Sequence, residues 1–118
     1  MAKNTNFSVR VRKEGPISIL DVSGRLTSFE VAAFRETIER LLREGRKQIV
    51  LNLRDLQYLD SSGIGELAKS YVSVVKRDGQ MRVVGLSSKV EEVLKITQLY
   101  QVFPEFPSEE EALRDFPR

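Results

Sequence analysis

The pattern of apolar and polar residues at the start of the chain predicts a β-hairpin. In the segment FSVRV, the apolar residues Phe7, Val9 and Val11 alternate with polar ones, which is the period of a half-buried strand. A Gly-Pro turn signal follows at positions 15 and 16. The next segment, ISILDVSG, is rich in aliphatic and β-branched residues and predicts a returning strand that pairs antiparallel with the first.

The apolar period then changes to that of an amphipathic helix. Within residues 27–45 the large apolar side chains share one helical face, at Phe34, Ile38, Leu41 and Leu42. Thr27 and Glu30 have the spacing of a capping box, in which each side chain satisfies a free amide at the helix start. Gly45 fits the left-handed residue that ends many helices. We therefore expect a helix over most of this segment.

A strand buried on both faces is predicted next, by the nearly continuous apolar run QIVLNL. We expect it to end near Leu53, where a short loop through Asp55 and Tyr58 leads to a second helix. The apolar positions of that helix follow a helical period, at Ile64, Leu67, Ala68, Tyr71, Val74 and Val75. The segment RDG is expected to close the helix.

The last third of the chain predicts two further strand–helix pairs. The segment QMRVVGL predicts a strand, and SSKVEEVLKITQL predicts a helix with Ser88 and Glu91 at capping-box spacing. The segment VFPEFPSEEEALRDF predicts a short strand and a terminal helix, with Ser108 and Glu111 as another box. The full order, β-β-α-β-α-β-α-β-α, is that of an α/β fold in which helices pack against one mixed sheet that starts with an antiparallel hairpin.

Composition excludes several kinds of catalytic site. The chain of 118 residues contains no cysteine and no histidine, which excludes disulfides, thiolate chemistry and a Ser-His-Asp triad. No acidic loop resembles a carboxylate-only metal site. We therefore expect no enzyme activity, no metal site and no cofactor.

Charge and hydropathy limit the partners and the location. The 19 basic and 17 acidic side chains are interleaved and give a net charge of +2, so no concentrated basic patch indicates direct binding of nucleic acid. No apolar run is long enough for a signal core or a membrane span. We expect a cytoplasmic protein that does not insert into membranes. The sequence does not indicate an oligomeric state.

The segment DSSGIG, residues 60–65, supports two hypotheses. Asp60, Ser61 and Ser62 are all of types that cap helices, and the glycines at 63 and 65 would allow a tight turn and a close approach of other backbone. One capping residue is enough, however, and the glycines leave the serine hydroxyls uncovered by bulky neighbours. Another protein could therefore reach one of these hydroxyls. The residues by themselves leave open whether the segment is only a cap or a chemically used site.

Several segments together resemble the STAS domain family, in particular the bacterial anti-sigma-factor antagonists. They are LNLRDLQYLDSSGIGEL with the strand before it, ISILDVSGRL, MRVVGL and SSKVEEVLKITQLYQVF. The resemblance covers about residues 7–116 and implies a single STAS-type domain over residues 1–118, with that range as its core. It also implies a switched binding module without catalysis of its own.

The resemblance implies a phosphorylation switch at Ser61, with Ser62 as the alternative acceptor. The unphosphorylated protein would bind an anti-sigma factor that is also a serine kinase, which frees a sigma factor and so regulates transcription. Phosphorylation would end this binding, and a serine phosphatase would restore it. The implied partner-binding residues are Asp60, Ser61, Ser62, Gly63, Ile64, Thr27 and Ser28. Thr27 stands where many members of the family have an aspartate. The alternative function is a non-phosphorylated STAS scaffold in a signalling or lipid-transport assembly.

Overall fold

Five strands form one mixed sheet whose spatial order, β1-β2-β3-β4-β5, is also their order along the chain. The computed structural model describes residues 7–97 and 105–117. Strands β1 and β2 pair antiparallel, and every later pair is parallel. The elements are β1 Phe7–Glu14, β2 Ile17–Leu26, α1 Val31–Arg43, β3 Gln48–Leu59, α2 Ser61–Lys76, β4 Gln80–Val84, α3 Ser88–Ile96, β5 Glu105–Phe106 and α4 Glu109–Arg114. The predicted fold class and element order are confirmed.

The two faces of the sheet carry two apolar clusters of unequal size. Side chains alternate between the faces along each strand, so that Leu20 and Leu51 join one cluster while Ile19 and Val50 join the other. The larger cluster also contains apolar side chains of α1, α2 and α3. The smaller cluster receives only α4 among the described helices, through Ala112. The three longer helices therefore cover one face, and the short terminal helix packs on the other.

Strand β3 is longer than predicted. The loop expected after Leu53 is wrong, because the backbone continues to pair with β2 as far as Leu59. The pairing shifts register twice on the way, so that the buried leucines of this part, Leu53, Leu56 and Leu59, are three residues apart instead of two. The extension places Leu59 opposite Leu26, the last residue of β2, and brings Asp60 N–H to 3.4 Å from the Leu26 carbonyl oxygen.

The helix ends agree with the predictions in part. Gly45 has φ +81 and ends α1 as expected. At the other end, α1 begins at Val31, and only half of the Thr27–Glu30 box forms. The Glu30 carboxylate accepts from the Thr27 N–H at 2.9 Å, but the Thr27 hydroxyl oxygen accepts from Phe29 N–H at 3.3 Å and not from Glu30. The backbone of residues 28–30 forms a turn before the helix, which displaces the box.

The serine caps of the last two helices differ in outcome. The prediction of Ser88 as the cap of α3 is wrong by one residue, because Ser87 is the extended residue and its hydroxyl accepts from Val90 N–H at 3.2 Å. The prediction for α4 is confirmed for Ser108, whose hydroxyl accepts from Glu111 N–H at 3.1 Å and caps the helix; the reciprocal bond from Ser108 N–H to the Glu111 carboxylate is not among the bonds of the described residues. The predictions made for residues 98–104, namely the end of the third helix and the start of the last strand, fall outside the described residues.

The buried face of α2 is rotated from the predicted one. Leu67 and Val74 are buried as expected, whereas Val75 is 47% exposed. Their neighbours on the buried face are small or polar, namely Gly63, Glu66 and Ser70. Hydrophobic periodicity does not detect such a face, because it depends on an ion pair with α1 and on close packing.

Candidate functional site

Asp60 joins three parts of the chain at the carboxyl ends of β2 and β3. Its Oδ1 accepts from Gly63 N–H at 2.9 Å and so caps α2. Its Oδ2 accepts from Ser28 N–H at 3.1 Å, in the turn after β2. Its own N–H points to the carbonyl oxygen of Leu26 at 3.4 Å. One side chain therefore fixes both the start of α2 and the turn that leads into α1.

Ser61 and Ser62 are the first two residues of α2, and both are exposed. Because Asp60 is the cap, the hypothesis that a serine caps this helix is wrong. Within residues 7–97 and 105–117, no hydrogen bond holds either hydroxyl. The backbone N–H groups of the first turn of a helix have no carbonyl partner inside the helix, so both hydroxyls lie at its positive end.

The two glycines of the segment have different environments. Gly63 is buried, and a Cβ added there would lie 2.2 Å from the carbonyl oxygen of Leu26. A Cβ added at Gly65 would meet nothing within 4 Å. The close approach expected at both glycines is therefore present at Gly63 and absent at Gly65. Ile64, between them, is half-buried and packs against the larger apolar cluster.

An open depression of about 420 Å³ lies beside Asp60, the residue that precedes the two serines. Its lining residues come from the end of β2, the turn after it and the end of β3: Arg25, Thr27, Ser28, Phe29, Glu30, Tyr58 and Asp60. The Arg25 guanidinium carbon lies 4.3 Å from the centre of the Tyr58 ring, a cation–π contact at the rim. The Phe29 side chain is 90% exposed. The predicted residues Thr27, Ser28 and Asp60 thus lie together at one edge of the sheet.

Glu30 adds a second carboxylate to this edge. Its Oε1 accepts from the Thr27 hydroxyl at 2.5 Å and from the Thr27 N–H at 2.9 Å. These two bonds hold the pKa of Glu30 below its usual value, while the nearby Asp60 carboxylate acts in the opposite direction. Glu30 is therefore ionised at neutral pH, and the edge beside Ser61 has an acidic side.

The sequence of this fold matches a known protein family over most of its length. The family model described as the STAS domain matches residues 8–112. The chain belongs to the STAS domain family. In this STAS domain, Ser61 and Ser62 occupy the β3–α2 junction, and the turn after β2 lies against that junction through Asp60.

Relatives of this STAS domain share most of its length. An anti-sigma F factor antagonist of Paenibacillus polymyxa is 27% identical over 111 residues, which are 93% of this chain and 95% of the relative. The crystal structure of an anti-sigma factor antagonist from Mycobacterium paratuberculosis has a TM-score of 0.81 at 23% identity and covers 92% of both chains. The Bacillus cell fate determinant SpoIIAA in its phosphorylated form has a TM-score of 0.72 at 20% identity, over 91% of this chain and 97% of that one. These structural likenesses concern the fold.

Sequence reasoning missed three residues at this edge of the STAS domain. Arg25 and Phe29 were assigned no role, and Glu30 was assigned only to a helix cap. Phe29 does give a signal in the sequence, because it is a large apolar residue that lies outside the apolar face of the following helix. Tyr58, which could have been core or surface, is 36% exposed.

The described part of the STAS domain was searched for metal-binding clusters and for membrane-spanning helices. Residues 7–97 and 105–117 contain no group of three or more acidic side chains placed to hold a metal ion. No helix in the same ranges is long and apolar enough to cross a membrane.

Replacing Gly65 by alanine is expected to raise the free energy of unfolding by about 0.5–1 kcal/mol. Gly65 lies inside α2 and has room for a methyl group, so the variant gains helix propensity without a clash. Equilibrium unfolding in urea measures the change. Gly45→Ala is the control: it also has open space, but its φ of +81 disfavours alanine, and it should lose stability. A lower stability of Gly65→Ala would mean that the helix is tighter at this position.

Proposed function

We propose that this STAS domain is an anti-sigma-factor antagonist that works by partner switching. In its unphosphorylated form it binds an anti-sigma factor that is also a serine kinase, and the sigma factor is thereby released. It has no catalysis of its own. The observation that carries the proposal is the exposed, unbonded hydroxyl of Ser61 at the start of α2, beside a braced turn on the same edge. The relative named anti-sigma F factor antagonist, which is matched over nearly its whole length, supports it.

The switch is a phosphoryl transfer from ATP to Ser61. The Oγ of Ser61 forms a bond to the γ-phosphorus of ATP, the bond from that phosphorus to the bridging oxygen of ADP breaks, and the hydroxyl proton leaves to the kinase or to water. Ser62 is the alternative acceptor, since it is also exposed. A serine phosphatase returns Ser61 to the hydroxyl by hydrolysis of the phosphate ester.

The fold can accept a phosphate at Ser61. The group would add about −1.5 to −2 charges at pH 7, next to backbone N–H groups and the positive end of the α2 dipole. Both carboxylate oxygens of Asp60 already have partners, so the cap and the turn do not depend on the serine hydroxyl. A phosphate on Ser61 should therefore alter binding to the partner and leave the sheet unchanged.

The partner's surface would meet both bulk and charge. A surface that fits a small neutral hydroxyl beside Glu30 and Asp60 has no room for a phosphate and faces a third anionic group after the transfer. Uncompensated charge in an interface lowers affinity through desolvation and like-charge repulsion. We therefore propose a switch through the interface, without refolding of the STAS domain.

Charge at Ser61 is expected to weaken binding to the anti-sigma factor about 100-fold, or ~2.7 kcal/mol. The probes are the recombinant anti-sigma factors with a serine-kinase domain from the source organism, each titrated calorimetrically. Ser61→Ala should bind like the wild type and Ser61→Glu should not. Ser62→Ala and Ser62→Glu are the matched controls and should change affinity much less.

Mass spectrometry after incubation with the same kinases and ATP assigns the acceptor. The wild type and Ser62→Ala should gain one phosphate, and Ser61→Ala should gain none. A phosphate on Ser62, or no phosphate at all, contradicts the assignment. Equal binding of Ser61→Ala and Ser61→Glu contradicts the switch and favours the non-phosphorylated scaffold.

A further inference from the structure

Phe29 is an aromatic side chain that the fold does not use. It is 90% exposed, more than any other exposed large apolar residue of the described chain. The buried face of α1 begins beyond it, at Phe34, so no core position is available to the ring. A large apolar side chain kept in water beside a functional edge is typical of a contact for another molecule.

Hydrogen bonds to Thr27 and Asp60 hold the turn that carries Phe29. The Phe29 N–H donates to the Thr27 hydroxyl oxygen at 3.3 Å, and the neighbouring Ser28 N–H donates to Asp60 Oδ2 at 3.1 Å. The Glu30 carboxylate holds Thr27 from the other end of the turn. Little backbone entropy is then lost when a partner covers the ring, which favours affinity.

We propose that Phe29 is the apolar anchor by which the STAS domain holds its anti-sigma partner. This inference rests on the proposed function and names the contact surface of the same site. The hydrogen bond from Ser28 to Asp60 places the turn against the residue that precedes Ser61. A protein that buries the Phe29 ring therefore also approaches the start of α2, where a phosphate on Ser61 would add bulk and negative charge next to the contact.

The surroundings of the ring define the chemistry of the partner surface. Glu30 and Asp60 line the same depression as Phe29, and the Arg25 guanidinium is held over Tyr58 at its rim. The complementary surface is an apolar pocket with lysine or arginine on the side that faces the carboxylates. A second copy of this chain fits less well, because a two-fold contact through this surface would bring both pairs of carboxylates together.

The inference is tested by the affinity of Phe29→Ala for the kinase-type anti-sigma factor that binds the wild type. The expected loss is about 30-fold, as for an aromatic side chain at the centre of an interface. Phe29→Leu, which keeps apolar bulk, should recover part of the affinity. Val75→Ala is the control: Val75 is 47% exposed on α2 but lies about 21 Å from Ser61 along the helix axis, so this variant should bind the anti-sigma factor with the affinity of the wild type. Urea unfolding of Phe29→Ala should match the wild type, because the ring is exposed.

The outcomes separate this inference from the proposed function. If Ser61→Glu loses affinity while Phe29→Ala stays within about threefold of the wild type, which is less than 1 kcal/mol, the anchor is wrong and the switch stands. If Ser61→Glu and Phe29→Ala both bind like the wild type, or no kinase-type anti-sigma factor binds at all, both proposals fail. If sedimentation shows a wild-type dimer that Phe29→Ala abolishes, the ring is buried against a second copy and the anchor assignment is overturned.

Discussion

Replacing Gly63 by alanine is expected to lower the free energy of unfolding by at least about 3 kcal/mol. The added methyl carbon would lie 2.2 Å from the carbonyl oxygen of Leu26 and 3.2 Å from its carbonyl carbon. Both are backbone atoms of Leu26, at the end of the interior strand β2, so no rotamer change relieves the overlap. Helix α2 must move away from β2, which also weakens the bond between Asp60 and Gly63. Equilibrium urea unfolding, followed by far-UV circular dichroism, gives the free energy.

Gly65→Ala is the matched control for this loss. It makes the same substitution two residues further along the same helix, where a methyl group meets nothing within 4 Å. The two variants should therefore change stability in opposite directions. Equal stability of Gly63→Ala and the wild type would show that α2 and β2 separate at no cost, and would contradict the close approach.

Replacing Arg35, whose side chain is 50% exposed, by alanine is expected to lower the free energy of unfolding, and to lower it more than Arg43→Ala does, because the partner carboxylate of Arg35 is buried. The Glu66 side chain is only 4% exposed, and its carboxylate is held by the Arg35 guanidinium, with Nη2 at 2.7 Å from Oε1 and Nε at 3.2 Å from both oxygens. This pair joins α1 to α2. Without the cation, a carboxylate remains between the helices with no charged partner, which is the costly way to break a buried ion pair. Urea unfolding at neutral pH measures the loss.

Two further variants make this measurement specific. Arg43→Ala removes an arginine from the same helix whose pair, with Glu36, is 58% and 62% exposed, and should change stability by about 0.5 kcal/mol or less. The double variant Arg35→Met with Glu66→Leu replaces the pair by apolar bulk and should regain most of the loss. If Arg35→Ala is no less stable than Arg43→Ala, water reaches Glu66 freely and the pair does not hold the helices together.

The fold was largely predictable because its signals are local. In each element, the apolar side chains lie on the side that faces the core. This produces the alternation at Phe7, Val9 and Val11 and the helical spacing of Phe34 and Ile38. The errors have nonlocal causes. The extent of β3 depends on pairing with β2, and the buried face of α2 depends on a cation from α1. Neither partner can be deduced from the spacing of apolar residues.

Only the part of the candidate site that is contiguous in sequence was predictable. The run from Asp60 to Gly63 indicates a helix start with exposed hydroxyls, and the cap and the close approach at Gly63 agree with it. The hydrogen bond that brings the turn of Phe29 to Asp60 joins residues 32 positions apart, and no local pattern encodes it. That bond is why the acidic and aromatic residues beside the serines appear only in three dimensions.

The order of the strands in the sheet has a consequence for folding during synthesis. Because the sheet order repeats the chain order, no strand has to enter between two strands that are already paired. Each strand that leaves the ribosome can join an edge that is already complete, starting from the β1–β2 hairpin, whose contacts are local. The strands that place Ser61, β2 and β3, thus precede β4 and β5 both along the chain and across the sheet, and the chain can fold progressively from its first hairpin.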